Sequence, residues 1–291
     1  LIVRLGQQGL EQGLPASNVI LLVDEYDKPI TDLLENEQKV QEHVDTLKNF
    51  YAVLKAPEAI HLHFVFLTGV SKYGRISVFS DLNNLLDLTL DARFATLLGY
   101  TQTELEHYFT DYIDQLTTAY GVSRSTILEQ IRFWYDGYSW DGQQRVYVPF
   151  STLVFFTQQR FANHWFATAT PTFLIKLLRQ KRIPAYTLEA LTANNTLLES
   201  ASVDALNVYA LLFQTGYLTI KQLRLSFRGT QYTLGYPNYE VAEAFSQHLL
   251  ADYLDSNANH LRIALLSDLN QALGTQNIAR FVQLLQSVFA S

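Results

Sequence analysis

Two adjacent acids, Asp24 and Glu25, directly follow the apolar run Val19-Ile-Leu-Leu-Val23. Nucleotide hydrolysis needs such an arrangement. An acid at the carboxyl end of a buried strand stands where open α/β sheets place ligands. There Asp24 could hold Mg²⁺ directly or through water. The neighbouring Glu25 could polarise a water that attacks the γ-phosphate. Thr68 and Ser71 close a second apolar run, and hydroxyls there could touch the γ-phosphate or orient that water. The plainer alternatives are a solvated acidic loop for the acids and ordinary turn chemistry for Thr68-Gly69 and Ser71.

Other chemistries fare less well. Gly69-Val-Ser-Lys-Tyr-Gly74-Arg75-Ile76 has the outline of a phosphate loop. Arg75 and Ile76, however, stand where Lys must reach the phosphates and Ser or Thr must hold Mg²⁺. No other stretch has the GxxxxGK[ST] pattern. His61 and His63 are expected on one strand face, without a third metal ligand. Asp24, Glu25 and Asp27 could form a metal nuclease site, but neighbours on a strand point to opposite faces. Trp134, Tyr135, Tyr138 and Trp140 could stack a base, although core packing around a turn explains them better. Cysteine is absent, which excludes disulfides and thiolate metal sites.

The elements that must position these residues can be read from periodicity. Val19–Val23 is expected as a strand buried on both faces. Val40–Lys55 has helical apolar spacing, and 61–67 is expected as a second strand. The order strand, helix, strand reads as a right-handed β-α-β unit. Leu1–Leu14 reads as a helix. Thr101-Gln-Thr-Glu104 is a capping box opening a helix through Tyr112, and Ser123 caps the next, through Trp134. Further helices are expected over 150–160, 172–181, 203–213, 239–254 and 277–289, with strands over 216–220 and 231–234. The texture shifts near residue 90, from α/β to mostly helical with one hairpin.

At 48% hydrophobic and 17% charged, the chain can bury a substantial core. The net charge of −7 is uneven. Residues 1–120 carry 8 basic and 17 acidic side chains, 121–230 carry 11 and 6, and 231–291 carry 2 and 5. The acidic whole argues against strong non-specific nucleic-acid binding, while the basic middle leaves a local anionic partner open. No apolar run reaches the roughly 18–20 residues of a membrane span. Leu1–Gly13 lacks the order of a signal peptide. A cytoplasmic protein without membrane contact is expected.

Several segments resemble, in order, the motifs of the AAA-ATPase-like family, bacterial P-loop proteins often fused to a C-terminal PD-(D/E)XK nuclease-like domain. They are Val23-Asp-Glu-Tyr-Asp-Lys-Pro-Ile30, Leu67-Thr-Gly-Val-Ser-Lys72, Phe79-Ser-Asp-Leu-Asn-Asn-Leu85, Tyr135-Asp-Gly-Tyr138, Pro149-Phe-Ser151, Trp165-Phe166 with Thr170-Pro-Thr172, and Phe213-Gln-Thr-Gly-Tyr-Leu218. The resemblance implies an α/β fold. It would be a partial P-loop NTPase (ASCE-type) parallel sheet, followed by a mostly helical lid and a winged-helix-like region. The implied division is 1–90 for the ATPase-like core from Walker B onward, 91–200 for the lid, and 201–291 for the winged-helix-like region and terminal helices. Asp24 and Glu25 would take the Walker B roles, Thr68 a sensor-like role, and Ser71 a place near the nucleotide. The segment is expected to enter the family after its Walker A loop and to lack the nuclease module. ATP and Mg²⁺ are therefore expected as cofactors of an intact parent, weakly bound or unbound by this chain, with hydrolysis only where a P-loop lies upstream. Nucleotide state would switch partner binding. The alternative is a nucleotide-insensitive module that docks protein or nucleic acid through 201–234, with Arg224 and Arg228 as contacts. Homo-oligomerisation is a further expectation, since a lone apolar sheet edge needs cover.

Overall fold

The structure, a computed structural model, describes residues 1–33, 36–70, 78–79, 84–165, 172–183, 185–198, 208–227, 229–253 and 259–289. Helix α1 covers Ile2–Glu11 and stops short of the expected Leu14. It packs through Gly6 and Gly9, where a Cβ would meet the His61 ring at 2.3 Å and the Asn18 side chain at 2.6 Å. Strand β1 is Val19–Val23, the apolar run itself. Helices α2 (Lys28–Thr31) and α3 (Glu37–Tyr51) follow, then 3₁₀ turns at Ala52–Lys55 and Pro57–His61, then strand β2 (Leu62–Leu67). Asn36 starts α3 by accepting from the Lys39 amide at 3.1 Å. β1 and β2 pair in parallel, with Val23 beside Leu67.

The helical spacing of Val40, Val44, Leu47 and Tyr51 places them on one face of α3. They join Tyr26, Ile30 and Leu54, with Leu21, Val23, Leu62, Val65 and Leu67 of the sheet packed against them. This is the expected β-α-β unit, with two corrections. His61 belongs to the 3₁₀ turn and not to the strand, and its Nδ1 lies 3.1 Å from the Ala16 carbonyl. β1 is covered on one face only: Ile20 and Leu22 are 59% and 67% exposed, and Phe64 on β2 is 50% exposed. An uninterrupted apolar run shows that both faces avoid water, but not what covers them.

A second apolar cluster lies further along. The capping box forms as expected, the Thr101 hydroxyl accepting from the Glu104 amide while Glu104 accepts from the Thr101 amide. The single helix expected through Tyr112 is instead two, α4 (Gln102–Tyr108) and α5 (Thr110–Tyr120), broken at Phe109. Phe109 turns inward and stacks on Phe156 at 4.5 Å. Helices α6 (Arg124–Tyr135) and α7 (Pro149–Gln158) supply Ile127, Ile131, Tyr135 and Phe155 to the same cluster. Between them runs a short antiparallel pair, β3 (Asp136–Tyr138) and β4 (Val146–Tyr147). It is too short for any periodicity to show.

Then follow α8 (Thr172–Gln180), β5 (Leu191–Asn194), α9 (Asn195–Leu198), α10 (Val208–Gln214), β6 (Thr219–Ser226) and β7 (Gly229–Gly235). β5, β7 and β6 form an antiparallel sheet in that order. The expected hairpin is there, but Gly216 sits in a turn at φ +83° and the strand begins only at Thr219. Residue 139 is stitched to this sheet: its amide donates to the Thr219 hydroxyl at 2.8 Å, and that hydroxyl donates back to the Ser139 carbonyl at 3.0 Å. Helix α11 is Tyr239–Tyr253. The chain divides into two compact units, Leu1–Ala242 and Glu243–Ser291. The second contains α12 (Asn259–Gly274) and α13 (Ile278–Phe289), packed on each other and joined by a short turn. The result is a mixed α/β fold with a small parallel sheet and many helices. Among the described residues, no helix is long and apolar enough to cross a membrane.

Glu240, fully buried in the first turn of α11, holds the segment after α7 in place. Its Oε1 accepts from the amides of His164 at 2.7 Å and Trp165 at 2.9 Å. Burial raises its pKa above 4.5, while these amides and the nearby Ser151 hydroxyl pull the other way. The folded state therefore holds this proton more tightly than the unfolded chain, and stability falls as pH rises above about 4.5. Glu240→Gln keeps the acceptor and removes the titration. We expect its stability relative to wild type to grow from pH 4 to pH 7 in urea unfolding. Glu240→Ala leaves the two donors without this acceptor and should lose about 2–4 kcal/mol. Equal pH dependence in Glu240→Gln and wild type would refute the account.

Candidate functional site

The parallel ladder continues one step past its strands. The Thr68 amide donates to the Val23 carbonyl at 2.8 Å, and the Tyr26 amide donates to the Thr68 carbonyl at 2.9 Å. Asp24 and Thr68 therefore leave the carboxyl edge of adjacent strands side by side. The Thr68 hydroxyl donates to Asp24 Oδ1 at 2.5 Å, and the Glu25 amide donates to the same oxygen at 3.0 Å. Oδ2 of Asp24 makes no hydrogen bond among the described residues. Asp24 and Glu25 are exposed.

Glu25 lies beyond the strand, and this corrects the expectation that the two acids alternate across it. Its backbone is left-handed at φ +53°. A residue with a Cβ is uncommon there and costs on the order of 1 kcal/mol or more. The turn closes when the Lys28 amide donates to the Glu25 carbonyl at 3.0 Å. Lys28 also pairs with Asp32 at 3.1 Å, and this exposed partner raises its pKa, with Glu25 and Asp27 adding smaller pulls.

Asp27 stands apart from the other two acids. It is 1% exposed, and its Oδ1 accepts from the Val70 amide at 3.0 Å. Its carboxylate is a structural brace between the two strand ends. Among the described residues, no group of three acid or histidine side chains could hold a metal ion. That disfavours the nuclease arrangement of Asp24, Glu25 and Asp27. A Mg²⁺ shared with phosphates needs only one or two carboxylates, and the exposed Asp24 fits that smaller demand. Ser71, and the rest of the loop through Ile76, lie outside the described residues.

Residues 12–79 match the model of the AAA-ATPase-like family, described as a predicted AAA-ATPase. This segment belongs to the AAA-ATPase-like family. It contains Asp24, Glu25, Asp27, Thr68 and Gly69, so the family match and the strand-edge cluster coincide. A curated protein of Azotobacter chroococcum mcd 1, named "Uncharacterized protein in vnfD 5'region", is 41% identical over 244 residues. The alignment covers 84% of this chain and 45% of that protein, so the chain spans less than half of its relative's length. No solved structure matches the chain.

In the sequence Gly69 reads as a turn residue after the strand and as the first glycine of a rejected phosphate-loop outline. In the AAA-ATPase-like segment it also permits a close approach. A Cβ there would lie 2.5 Å from Tyr26 Cε1 and 2.6 Å from Asp27 Oδ1, both on buried side chains. Only a repeated Gly at this place across relatives could have signalled it in advance. Gly69→Ala should therefore destabilise the protein by about 1–3 kcal/mol, the usual scale of overpacking. Urea unfolding measures this, and a change below about 0.5 kcal/mol would show that the two strand ends have room to part.

Proposed function

We propose that the intact protein binds ATP with Mg²⁺ at the carboxyl edge of β1 and β2 and hydrolyses it to switch partner binding. One observation carries the reading: within an AAA-ATPase-like segment, Thr68 donates to Asp24 across adjacent parallel strand ends. The hydrogen bond holds the carboxylate so that Oδ2 faces no protein donor among the described residues. Asp24 would hold the metal through that oxygen. Bound Mg²⁺ would supply neutralisation of the phosphate charge. Glu25, exposed on its strained turn, would orient and deprotonate the attacking water. Thr68 would sense the γ-phosphate by exchanging its bond to Asp24 for one to the nucleotide, and we assign Ser71 to the same neighbourhood. The P-loop sheet and helical lid implied by the sequence motifs belong to this reading.

A second reading keeps one specific support. The helix Val208–Gln214 and hairpin β6–β7 have the order expected of a winged-helix-like region, and Arg224, Leu225 and Phe227 are exposed near the hairpin tip. This region would dock a protein or nucleic-acid partner whether or not nucleotide is bound. Arg228 lies outside the described residues.

Glu25→Gln in the natural full-length protein separates the two. The hydrolytic reading expects turnover to fall by about 10²–10⁴-fold, the usual contribution of a general base. ATP affinity in equilibrium titration should stay close to wild type, because the amide keeps the shape of the site. Wild-type turnover in Glu25→Gln, or no ATP binding by the full-length protein, would leave only the docking reading.

A further inference from the structure

A recess within Leu1–Ala242 lies away from Asp24. It is a cavity of about 550 Å³, bounded by the end of α6, the start of β3, Arg145 ahead of β4, Lys221 of β6, and the 235–239 turn into α11. Close backbone packing forms one wall. At Gly137, with φ +129°, a Cβ would stand 2.1 Å from the Pro237 carbonyl oxygen, so no side chain fits between them. Phe133 and Tyr239 are stacked at 4.7 Å and line an apolar, aromatic wall.

The charges around this cavity are not matched. Arg132, Arg145 and Lys221 line it against Asp136 and Glu189, an excess of one positive charge. The described salt bridges are Lys28–Asp32, Arg93–Asp91, Arg124–Asp114 and Arg280–Asp268, and none involves these cations. Lys221 donates to the Pro237 carbonyl at 2.9 Å, which uses one of its three ammonium donors. Burial, with Arg145 adding repulsion, lowers its pKa to about 8, so this cation lacks the solvation or counter-charge that would hold it at 10.5. Asp136 offsets it only in part, being itself pushed up by burial. Two sealed polar atoms in the lining residues, Asp136 Oδ1 and Asn238 Nδ2, make no hydrogen bond. The N-terminus of the long helix α11, capped by Asn238 accepting from the Val241 amide at 3.0 Å, opens on the same recess.

We propose that this cavity binds a small molecule made of a flat apolar body and one oxyanion, phosphate or carboxylate. The oxyanion meets Lys221 and Arg145, and the body lies along Phe133 and Tyr239. The volume falls within the usual range for small-molecule sites, which pair apolar walls with a few fixed polar groups. An oxyanion supplies the missing counter-charge and accepts the unspent ammonium donors. The site is separate from the Asp24 edge and needs no Mg²⁺.

Phenyl phosphate, benzoate and benzyl alcohol test this by titration calorimetry on the full chain without Mg²⁺. Either anion should bind saturably, about tenfold or more tighter than the neutral alcohol, the worth of one charge-assisted hydrogen bond. Phenyl phosphate alone would identify a phosphate site and benzoate alone a carboxylate site. Lys221→Met should weaken the preferred anion about tenfold, with partial recovery in Lys221→Arg. Arg145 is exposed, so Arg145→Gln remains informative even where Lys221→Met does not fold, and it should weaken binding about threefold. Asp24→Asn should change nothing. Equal affinity for the alcohol, no binding of either anion, indifference to Arg145→Gln in a folded protein, or loss on Asp24→Asn would each overturn the proposal.

Discussion

The parallel register of two short strands governs the candidate site. Because Val23 sits beside Leu67, the next residues, Asp24 and Thr68, emerge together and their side chains meet at 2.5 Å. A slip of one residue would send every alternate side chain to the other face. It would bury Asp24 against the Val40–Tyr51 face of α3 or expel Val23 from it. The register is held from three sides. Leu21, Val23, Val65 and Leu67 face the α3 cluster, the Tyr26 amide extends the ladder to the Thr68 carbonyl, and buried Asp27 binds the Val70 amide. Gly69 lets the two strand ends close to that distance.

The helical stretch beyond residue 90 obeys a different economy. Its aromatic residues do structural work. Tyr135, read in sequence as part of a stacking surface for a base, is wholly buried and bonds the 162 backbone through its hydroxyl, donating to the Ala162 carbonyl and accepting from its amide. Burial raises its pKa well above 10. Tyr138 donates to the Gly216 carbonyl at 2.9 Å and so ties β3 to the turn before β6. Phe133, two residues before Tyr135 and so on the opposite, exposed side of α6, escapes this role and lines the cavity with Tyr239. The same Tyr-Asp-Gly-Tyr stretch thus serves two surfaces. Tyr135 and Tyr138 face the packing, while Asp136 and Gly137 face the recess.

The strand edge and the cavity differ in how their charges are arranged. At the strand edge Asp24 and Glu25 are exposed and anionic, an arrangement suited to a cation shared with phosphates. At the cavity beside Lys221 the balance is cationic and partly desolvated, an arrangement suited to an anion without a metal. The uneven charge along the chain, acidic through residue 120 and basic from 121 to 230, foreshadows this contrast.

The sequence by itself determined the local elements whose signals are local. The apolar, partly β-branched run Val19–Val23 is a strand to the residue, Thr101 and Glu104 form their capping box, and Ser123 caps the helix that follows it. It also brought out Asp24, Glu25 and Thr68, because acids and a hydroxyl at strand ends are visible as text. It could not show the break at Phe109, where a ring turned toward Phe156 outweighs the helical pattern through Tyr112. It could not show the uncovered face of β1, since an apolar run carries no record of its neighbours. Glu240, Gly69 and Lys221 were silent for the same reason. Their partners lie 75, 42 and 16 residues away at Trp165, Asp27 and Pro237, and only the folded chain brings such groups within hydrogen-bonding or van der Waals distance.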